Sequence, residues 1–469
     1  MRAHIRSKAA WFLLLFSANI CGLGLVSAAQ RPENGQFVPH ELLIKFKPGV
    51  PEFVREEIHR GVGARVVGRF RGDEQLHHIR LPEGEDLDAA LAYYQTRADV
   101  EYAQKNLIYH ITETVPDDPM FSQQWAWKNT VTPGADVGAT FAWDKARGRS
   151  TVIVASIDTG VDYMHPDLAA NMWINPGEAG LNCFNGIDDD GDDYVDDCRG
   201  WNFWSNTNDP MDDNGHGTHT SGIIGALTNN STGVAGANWA VQIMPLKFTN
   251  ANGDGTTALA VQALDYAVAH GATISNNSWG TTGFDPALLD AIKRAEAAGH
   301  LFVTSAGNGN PNGSDNDATP NYPCDFSKAD PVSNPKPPQN IICVAATDSF
   351  DNLVGFSNYG LTTVQLGAPG VNILSTLPHA IYGSASGTSM SSPIVAGAAA
   401  LLKGCKANLH SFMIKRILLT TARQTPALAG KTVTGGIVNY QAAVNDSRVG
   451  DCEPPPGKGQ LTSPHGGPK

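Results

Sequence analysis

The chain has 469 residues, of which 41% are hydrophobic and 17% are charged, and its formal net charge is −13. This length predicts one large domain with a smaller companion, and the composition is that of a globular protein rather than a disordered one. The acidic balance argues against nucleic acid as a partner, because phosphate binding needs a basic surface.

Residues 1–28 have the pattern of a secretory signal peptide, with a cationic start, a short apolar run and small residues before the cleavage site. Cleavage after Ala28 fits this pattern, and cleavage after Ala29 is the alternative. We disfavour a membrane anchor because the apolar run is short and contains Asn19. We therefore expect a secreted protein, extracellular or periplasmic, that has no stable membrane anchor and acts as a monomer.

The six cysteines that follow the signal peptide suggest disulfide bonds in an exported chain, and fifteen connectivities are formally possible. No spacing among them resembles a zinc site. Pairing each cysteine with its neighbour in sequence closes the shortest loops, and we favour this arrangement: Cys183–Cys198, Cys324–Cys343 and Cys405–Cys452.

Residues 41–104 have the pattern of a separate small unit. Pro51 and Asp86 stand where its two helices are predicted to begin. The order of elements, β-α-β-β-α-β, is the ferredoxin-like α+β plan. Strands are predicted at 41–47, 64–70, 75–81 and 99–104, and helices at 51–60 and 86–97.

From Thr151 onward, apolar strands alternate with helices, which predicts an α/β fold with a parallel twisted sheet and helices on both faces. One helix is predicted at 285–298, with Asp285 as its cap and Gly299 at its end. Residues 446–469 are rich in proline and glycine and are predicted to form a tail. The strands, which are apolar enough to be buried on both faces, are predicted at 151–157, 241–248, 272–278, 301–307 and 341–347.

Four residues from separate segments could share one catalytic centre, because ligands of an open α/β sheet gather at the carboxyl ends of its strands. Asp158 ends a predicted strand, His216 lies between two glycines before an apolar helix, and Ser389 follows Gly-Thr where a helix begins. This chain order of carboxylate, imidazole and hydroxyl is one of the three known orders of the serine triad. Asn308 follows another strand and could donate a hydrogen bond to an oxyanion.

Other interpretations of these residues are weaker. Asp158 would be a helix cap and Asn308 a turn residue if either stood alone. A metal pair of His216 and His219 has i,i+3 spacing and no neighbouring glutamate or third ligand. The pattern G-x-S-x-G is absent around Ser389, which disfavours an α/β-hydrolase.

Four segments are similar to the signature blocks of the subtilisin-like serine peptidases, and the resemblance covers residues 115–445. The residues at 156, 220 and 394 depart from the usual pattern without removing a reacting group. The segments are DTGVD at 158–162, HGTHTSG at 216–222, SAGN at 305–308 and GTSMSSP at 387–393.

The resemblance implies a role for each reacting residue. Ser389 would attack the scissile carbonyl, while His216 takes its proton and later passes it to the leaving amine. Asp158 would set the tautomer of His216, and Asn308 would hold the oxyanion together with the Ser389 N–H.

The same resemblance extends to substrate binding and to the first unit. Asn321 matches the base of the primary specificity pocket. Residues 37–112 are similar to the family's inhibitory propeptide and 115–445 to its peptidase domain, so processing is expected between His110 and Pro116. The edge on which an extended peptide substrate adds as a strand is matched by Ser278, Trp279 and Gly280.

An acidic insertion separates Asp158 from His216, and seven of its aspartates fall within the ten positions 188–197. Like charges repel unless a cation is present, and hard cations take clustered oxygens. A solvated, disordered segment is the alternative. The predicted calcium loop lacks the terminal glutamate of an EF-hand and consists of Asp188, Asp190, Asp192 and Asp197.

A second calcium site is implied by the resemblance. Its side chains would be those of Asp167 and Asn230, and Asp118 would join them from the start of the peptidase domain. Backbone carbonyls would complete the site, namely those of Thr228, Thr232 and Val234.

These residues predict a secreted serine endopeptidase that is made as a self-processing zymogen and stabilised by calcium. Its partners would be polypeptide substrates and its own propeptide. A peptide ligase with the same triad and a calcium-binding scaffold with an inactive site are the alternatives. Glycoside hydrolysis by paired carboxylates is disfavoured, since no motif outside the calcium loops brings two carboxylates together.

Overall fold

The computed structural model describes residues 37–108, 113–309 and 311–452. The predicted signal peptide, most of the predicted tail and the first residues of the expected processing region lie outside the described residues. The chain divides into two compact units, Met1–Ile111 and Thr112–Lys469. In the described part of the chain, no helix is both long and apolar enough to cross a bilayer.

The first unit is a four-stranded antiparallel sheet against which two helices pack. The strands pair in the order β2-β3-β1-β4, and the predicted ferredoxin-like plan is confirmed. Asp86 caps the second helix, because its carboxylate accepts hydrogen bonds from the N–H groups of Asp88 and Ala89. The elements are β1 (Phe37–Phe46), α1 (Glu52–Arg60), β2 (Arg65–Phe70), β3 (Asp73–Arg80), α2 (Leu87–Gln95) and β4 (Val100–Leu107).

The second unit alternates strands and helices, as the sequence predicts. Its first half comprises α3 (Ala139–Ala142), β5 (Gly148–Asp158), β6 (Trp201–Asn202), α4 (His216–Gly225), β7 (Ala240–Lys247), α5 (Thr257–Ala269), β8 (Ile274–Asn277), α6 (Pro286–Ala297) and β9 (Leu301–Ser305). Its second half comprises β10 (Ile341–Thr347), β11 (Leu366–Pro369), β12 (Ile373–Leu377), β13 (Ile381–Ala385), α7 (Thr388–Cys405), α8 (Ser411–Thr420), β14 (Arg423–Gln424), β15 (Gly436–Ile437) and α9 (Tyr440–Val444). Short 3-10 turns lie at Phe121–Gln123, Ala169–Asn171, Gly180–Phe184 and Cys324–Ser327.

Nine strands of this unit form one sheet in the order β14-β15-β11-β10-β9-β8-β5-β7-β6. All neighbouring strands are parallel except β14 and β15. The predicted parallel α/β architecture is therefore confirmed. The strands β12 and β13 form a separate antiparallel hairpin.

The strand β5 joins the two helix layers of the unit. Val152 and Val154 are buried among residues of α4, α7 and α8, whereas Ala155 and Ile157 are buried among residues of α5 and α6. Because side chains alternate along a strand, one strand can contact both layers. The strand is consequently held from both faces of the sheet, and Asp158 is its last residue.

The three predicted disulfide bonds are present in the structure, so the pairing of neighbouring cysteines is confirmed. The two cysteines of each bond lie 15, 19 and 47 residues apart in the sequence, respectively. Cross-links of this kind stabilise a fold largely by restricting the unfolded chain. The bonds join Cys183 to Cys198, Cys324 to Cys343 and Cys405 to Cys452.

Replacing Asp285 with alanine should destabilise the second unit by about 1 kcal/mol, the usual cost of losing a helix N-cap. Its carboxylate accepts a hydrogen bond from the Leu288 N–H at 3.1 Å and another from the Thr257 hydroxyl at the start of α5. The measurement is the thermal midpoint in calorimetry. The control is Asp290→Ala, at an exposed position of the same helix, and equal losses in both variants would contradict the capping role.

Candidate active site

The parallel pairing of β5 with β8 places two of the predicted site residues at the same sheet edge. Ser156 on β5 lies opposite Asn276 on β8. Asp158 and Ser278 each follow two residues later, so both lie at the carboxyl ends of adjacent strands. Ligands of parallel sheets bind at this edge.

Asp158 holds the imidazole of His216, the first residue of α4. The His216 Nδ1 lies 2.7 Å from Asp158 Oδ1. The Asp158 carboxylate also accepts hydrogen bonds from the Thr159 N–H at 2.8 Å and from the Thr220 hydroxyl at 3.2 Å. Since Nδ1 faces a carboxylate, the proton of neutral His216 lies on Nδ1, and Nε2 is left to accept another.

Asp212, which was not predicted from the sequence, organises the loop that leads into α4. It is buried, and its carboxylate accepts hydrogen bonds from the Gly215 N–H, from the Thr159 hydroxyl, and from both the N–H and the hydroxyl of Thr218. Because Thr159 follows Asp158 directly, Asp212 ties the end of β5 to the start of α4. A carboxylate just before a helix is the local signal that could have indicated this role.

The pKa of His216 is raised above its usual value. Burial lowers this pKa, but the charge and hydrogen bond of Asp158 and the charge of Asp212 together raise it by more. His219 behaves differently, since burial lowers its pKa to about 4. Its Nε2 contacts the carbonyls of Ile373 and Gly383 in the β12–β13 hairpin, which gives no support to a metal pair with His216.

The serine-rich segment 383–399 leaves one hydroxyl available at the helix start. The Ser391 hydroxyl donates to the Ala368 carbonyl at 3.0 Å, and both residues are buried. The Ser392 hydroxyl donates to Asn276 Oδ1 at 2.7 Å and is also buried. By contrast, Ser389 is half-buried in the first turn of α7.

The position of Ser389 is held through its backbone carbonyl. Pro393 has no N–H with which to bond this carbonyl, so the usual helical hydrogen bond is missing. The Ser278 hydroxyl donates to it instead, at 2.9 Å, and Asn276 Nδ2 donates to the Ser278 hydroxyl at 3.1 Å. The Ser389 hydroxyl itself contacts the Ser278 carbonyl at 3.3 Å, and among the described residues it has no hydrogen bond to His216.

The side-chain amide of Asn308 and the backbone nitrogen of Ser389 both lie near Gly387. The N–H and the hydroxyl of Thr388 both donate to Asn308 Oδ1 at 3.0 Å, which turns the Asn308 amide nitrogen the other way. A Cβ atom at Gly387 would lie 3.5 Å from Asn308 Nδ2 and 3.7 Å from the Ser389 nitrogen. Glycine leaves this space open to a ligand oxygen.

The predicted substrate-binding residues lie together as well. Trp279 is fixed because its indole N–H donates to the Ile157 carbonyl at 2.9 Å. A Cβ at Gly280 would lie 2.8 Å from Asn321 Oδ1, so these two segments are adjacent. The Asn321 N–H donates to Asp325 at 2.8 Å, and burial raises the pKa of Asp325 to about 7.

The structure brings together the side chains of the calcium site implied by resemblance. Asp167 accepts hydrogen bonds from Asn230 Nδ2 at 2.8 Å and from the Val234 N–H at 3.0 Å. Asp118 accepts from the N–H groups of residues 229 and 230 in the same loop, which also carries Thr228 and Thr232. Burial raises the pKa of Asp118 to about 6, and the charge of Asp167 adds to this effect. Two buried carboxylates of this kind fit a cation.

In the acidic insertion, three of the four predicted ligands fall into two close groups, and the fourth, Asp197, lies 3.9 Å from the His270 of one group. Carboxylate oxygens of Asp190 and Asp192 lie within 4.8 Å of each other and of His270. Asp188 lies equally close to Asp190 in a second group. Asp197, however, is fully buried and bound to the Tyr266 hydroxyl and to the side-chain amide of residue 175, so it lies outside both groups.

The fold and this arrangement define a serine peptidase preceded by a separate small unit, and comparison with known proteins agrees. The subtilase family model (peptidase S8) matches residues 149–447, and the fervidolysin N-terminal prodomain matches residues 25–106. The chain belongs to the subtilase family. It is a subtilisin-like serine endopeptidase with an N-terminal prodomain.

Comparison with individual proteins also finds peptidases. The thermophilic serine proteinase of Bacillus sp. strain AK1 is 32% identical over 410 residues, which cover 87% of this chain and 88% of that protein. The thermitase of Thermoactinomyces vulgaris is 36% identical over 287 residues, or 61% of this chain and 85% of thermitase. A solved protease of Pseudoalteromonas arctica aligns with a TM-score of 0.56 at 26% identity, over 72% of this chain and all of that one.

Ser278→Ala should cost about 1–3 kcal/mol of stability, because the half-buried Ser389 carbonyl would lose the Ser278 hydroxyl that donates to it in place of the missing Pro393 N–H. The readout is the thermal midpoint of the purified protein. Ser384→Ala, on the exposed side of the β12–β13 hairpin, is the control and should change stability by less than about 0.5 kcal/mol. If both variants have the same thermal midpoint as the wild type, the Ser389 carbonyl is not held in the way that the structure indicates.

Proposed function

We propose that this endopeptidase cleaves peptide bonds with the triad Asp158, His216 and Ser389. The observation that carries the proposal is the 2.7 Å hydrogen bond between Asp158 and His216 at the strand ends, beside the helix start that holds Ser389. The family match supports it, because the enzyme class is that of a serine endopeptidase.

The first step would be attack by the Ser389 hydroxyl oxygen on the scissile carbonyl carbon. His216 Nε2 accepts the hydroxyl proton, and Asp158 stabilises the resulting imidazolium. The hydroxyl must first turn from the Ser278 carbonyl toward His216, a change that substrate binding can bring about. His216 then gives the proton to the leaving amine as the carbon–nitrogen bond breaks, and an acyl-enzyme on Ser389 remains.

The oxyanion of this step would lie above Gly387. There it would accept hydrogen bonds from Asn308 Nδ2 and from the Ser389 N–H. The amino-terminal end of α7 also favours a negative charge at this place. A water molecule, deprotonated by His216, then attacks the acyl carbon and releases Ser389.

A polypeptide substrate would lie in extended form along residues 278–280. Backbone hydrogen bonds to this edge add the substrate as a strand, without a requirement for particular side chains. The substrate side chain that enters the primary specificity pocket would lie beside Gly280 and Asn321, and the short distance between these two residues supports this proposal.

We further propose that the chain is secreted as a zymogen and that residues 37–112 inhibit the peptidase domain, 115–445, until it cleaves itself. The prodomain match supports the inhibitor, and a relative from Natrialba magadii, 30% identical, is named a halolysin-like extracellular serine protease. Thr114 is already bound within the second unit, since its N–H donates to the Thr140 carbonyl at 3.0 Å. Cleavage upstream of Thr114 would therefore leave the start of the mature enzyme in place.

Calcium would stabilise this enzyme at two places. In one, Asp118, Asp167 and Asn230 would bind the ion with carbonyls of the loop at 228–234. The other is the acidic insertion, where Asp190 lies close to Asp188 in one group and to Asp192 in another. In both places a cation would offset the repulsion between carboxylates.

Ser389→Ala should accumulate as the uncleaved proenzyme, because the nucleophile for self-processing is missing. Intact mass measurement of the purified protein gives the readout, and Ser384→Ala, with an exposed serine in the same segment, should mature normally. Normal processing of purified Ser389→Ala would rule out autocatalytic maturation by this residue.

The acidic limb of the pH profile of kcat/KM should move to lower pH in Asp212→Asn. Catalysis needs neutral His216, so activity rises with pH through the pKa of His216 in the free enzyme. The charge of Asp212 helps to raise this pKa, and asparagine removes that charge together with the hydrogen bonds that one of the two carboxylate oxygens accepts. Asp290→Asn, exposed on α6, should leave the limb unchanged, and a limb that stays in place or moves to higher pH in Asp212→Asn would contradict the electrostatic role.

A further inference from the structure

The side-chain amide of Asn321, the expected base of the primary specificity pocket, lies between two glycines. A Cβ at Gly280 would lie 2.8 Å from Asn321 Oδ1, and a Cβ at Gly307 would lie 2.9 Å from Asn321 Nδ2. Asn321 is half-buried, and its side-chain amide has no hydrogen-bond partner among the described residues. The amide is therefore available to a substrate side chain, and its oxygen faces the proposed substrate edge.

A buried carboxylate lies directly beside Asn321. The Asp325 carboxylate accepts a hydrogen bond from the Asn321 N–H at 2.8 Å, and the Asp325 N–H donates to the Asn321 carbonyl at 3.0 Å. Asp325 is only 7% exposed, and among the described residues no cationic group forms an ion pair with it. Aspartate is rarely buried to this extent unless it is paired. The free enzyme therefore does not balance the charge of Asp325 by direct contact.

The charged groups around Asp325 leave this place negative. Burial raises the pKa of Asp325 to about 7, the charge of Lys328 opposes this rise, and the charges of Asp317 and Asp315 add to it. The Lys328 ammonium donates to the Asp317 carbonyl at 3.3 Å instead of pairing with Asp325. Asp330, an exposed residue of the same segment, adds a further carboxylate near Lys328. Among these residues, carboxylates outnumber ammonium groups.

A cationic substrate side chain would balance the charge of Asp325. Opposite charges attract more strongly in a partly buried place than in water, and a like charge would be repelled. The charged groups of lysine and arginine are hydrogen-bond donors only, and the Asn321 oxygen beside Gly280 is an acceptor. Both the charge and the hydrogen-bonding capacity at the base of the pocket therefore favour a lysine or arginine side chain.

We propose that Asp325 makes the primary specificity pocket select substrates with lysine or arginine before the scissile bond. Asp325 is a specificity-determining residue that acts through its charge and through the position of Asn321, rather than on the reacting atoms. This inference rests on the proposed peptidase function and deepens it by naming the class of substrate.

Two peptides that differ only in one charge test the proposal on the mature enzyme. Arginine precedes the scissile bond in one, and citrulline, its uncharged analogue, takes that place in the other. Well above the pKa of Asp325, kcat/KM should be at least about tenfold higher for the arginine peptide, a difference that a partly buried charge pair supplies. Asp325→Asn keeps an oxygen for the Asn321 N–H but loses the charge, and it should lower this ratio about tenfold by raising KM for the arginine peptide.

The matched control is Asp330→Asn, which removes an exposed charge from the same segment. Because exposed charges are screened by solvent and salt, this variant should keep the wild-type ratio within about twofold. An equal loss of the ratio in both variants would contradict a specific role for Asp325.

The pH dependence of the same ratio gives an independent readout. In the wild type, the preference for arginine should fall as the pH is lowered through about 7, because protonation of Asp325 removes its charge. The titration of His216 affects both peptides equally and cancels in the ratio. The ratio in Asp325→Asn should not change over this range, and a wild-type ratio that is constant with pH would contradict the proposal.

The remaining outcomes separate this inference from the proposed catalysis. If the wild type cleaves the citrulline peptide as well as the arginine peptide, or if Asp325→Asn keeps the wild-type ratio, the inference is overturned while the proposed peptidase function stands. If the wild type cleaves no peptide, both fail together. Should Asp325→Asn fold poorly, Lys328→Gln is the opposite test, because loss of the ammonium should raise the preference for arginine. An unchanged preference in Lys328→Gln would contradict the electrostatic role.

Discussion

The hydrogen bond between Asp158 and His216 is the contact on which the rest of the proposed catalytic arrangement depends. It joins the last residue of β5, held by both helix layers, to the first residue of α4. Asp212 reinforces the same junction, because its carboxylate bonds both to Thr159 and to the first turn of α4. The imidazole is therefore held by Asp158, and its helix by Asp212, before any substrate binds, which is the preorganisation that the proposed proton transfer requires.

At Ser389, the absence of the usual helical hydrogen bond lets its backbone carbonyl bond outside the helix. Since Pro393 offers no N–H, the Ser389 carbonyl is free to accept the Ser278 hydroxyl, and this contact links α7 to the end of β8. Asn308 is oriented in a comparable way, because Thr388 occupies its oxygen and leaves its nitrogen to face the space above Gly387. Sheet edge and helix start thus act as one rigid support.

The elements that the sequence predicted correctly are those with local signals. The end of β5 at Asp158 follows from a run of apolar residues, and the parallel sheet follows from apolar strands that alternate with helices. Asp212 could not be found in this way, since its importance lies in contacts with Thr159 and Thr218 that the folded loop creates. The hydrogen bond that Asp197 accepts from the Tyr266 hydroxyl on α5 is a further contact that the sequence does not indicate.

Reaction of the mature enzyme with a fluorophosphonate, followed by peptide mapping, tests the central claim most directly. Such a probe bonds to a serine only where a base and an oxyanion site activate it. The structure predicts a single labelled serine, Ser389, although four others lie within a few residues of it. A label on any of those four, or an active enzyme that takes no label, would contradict the account.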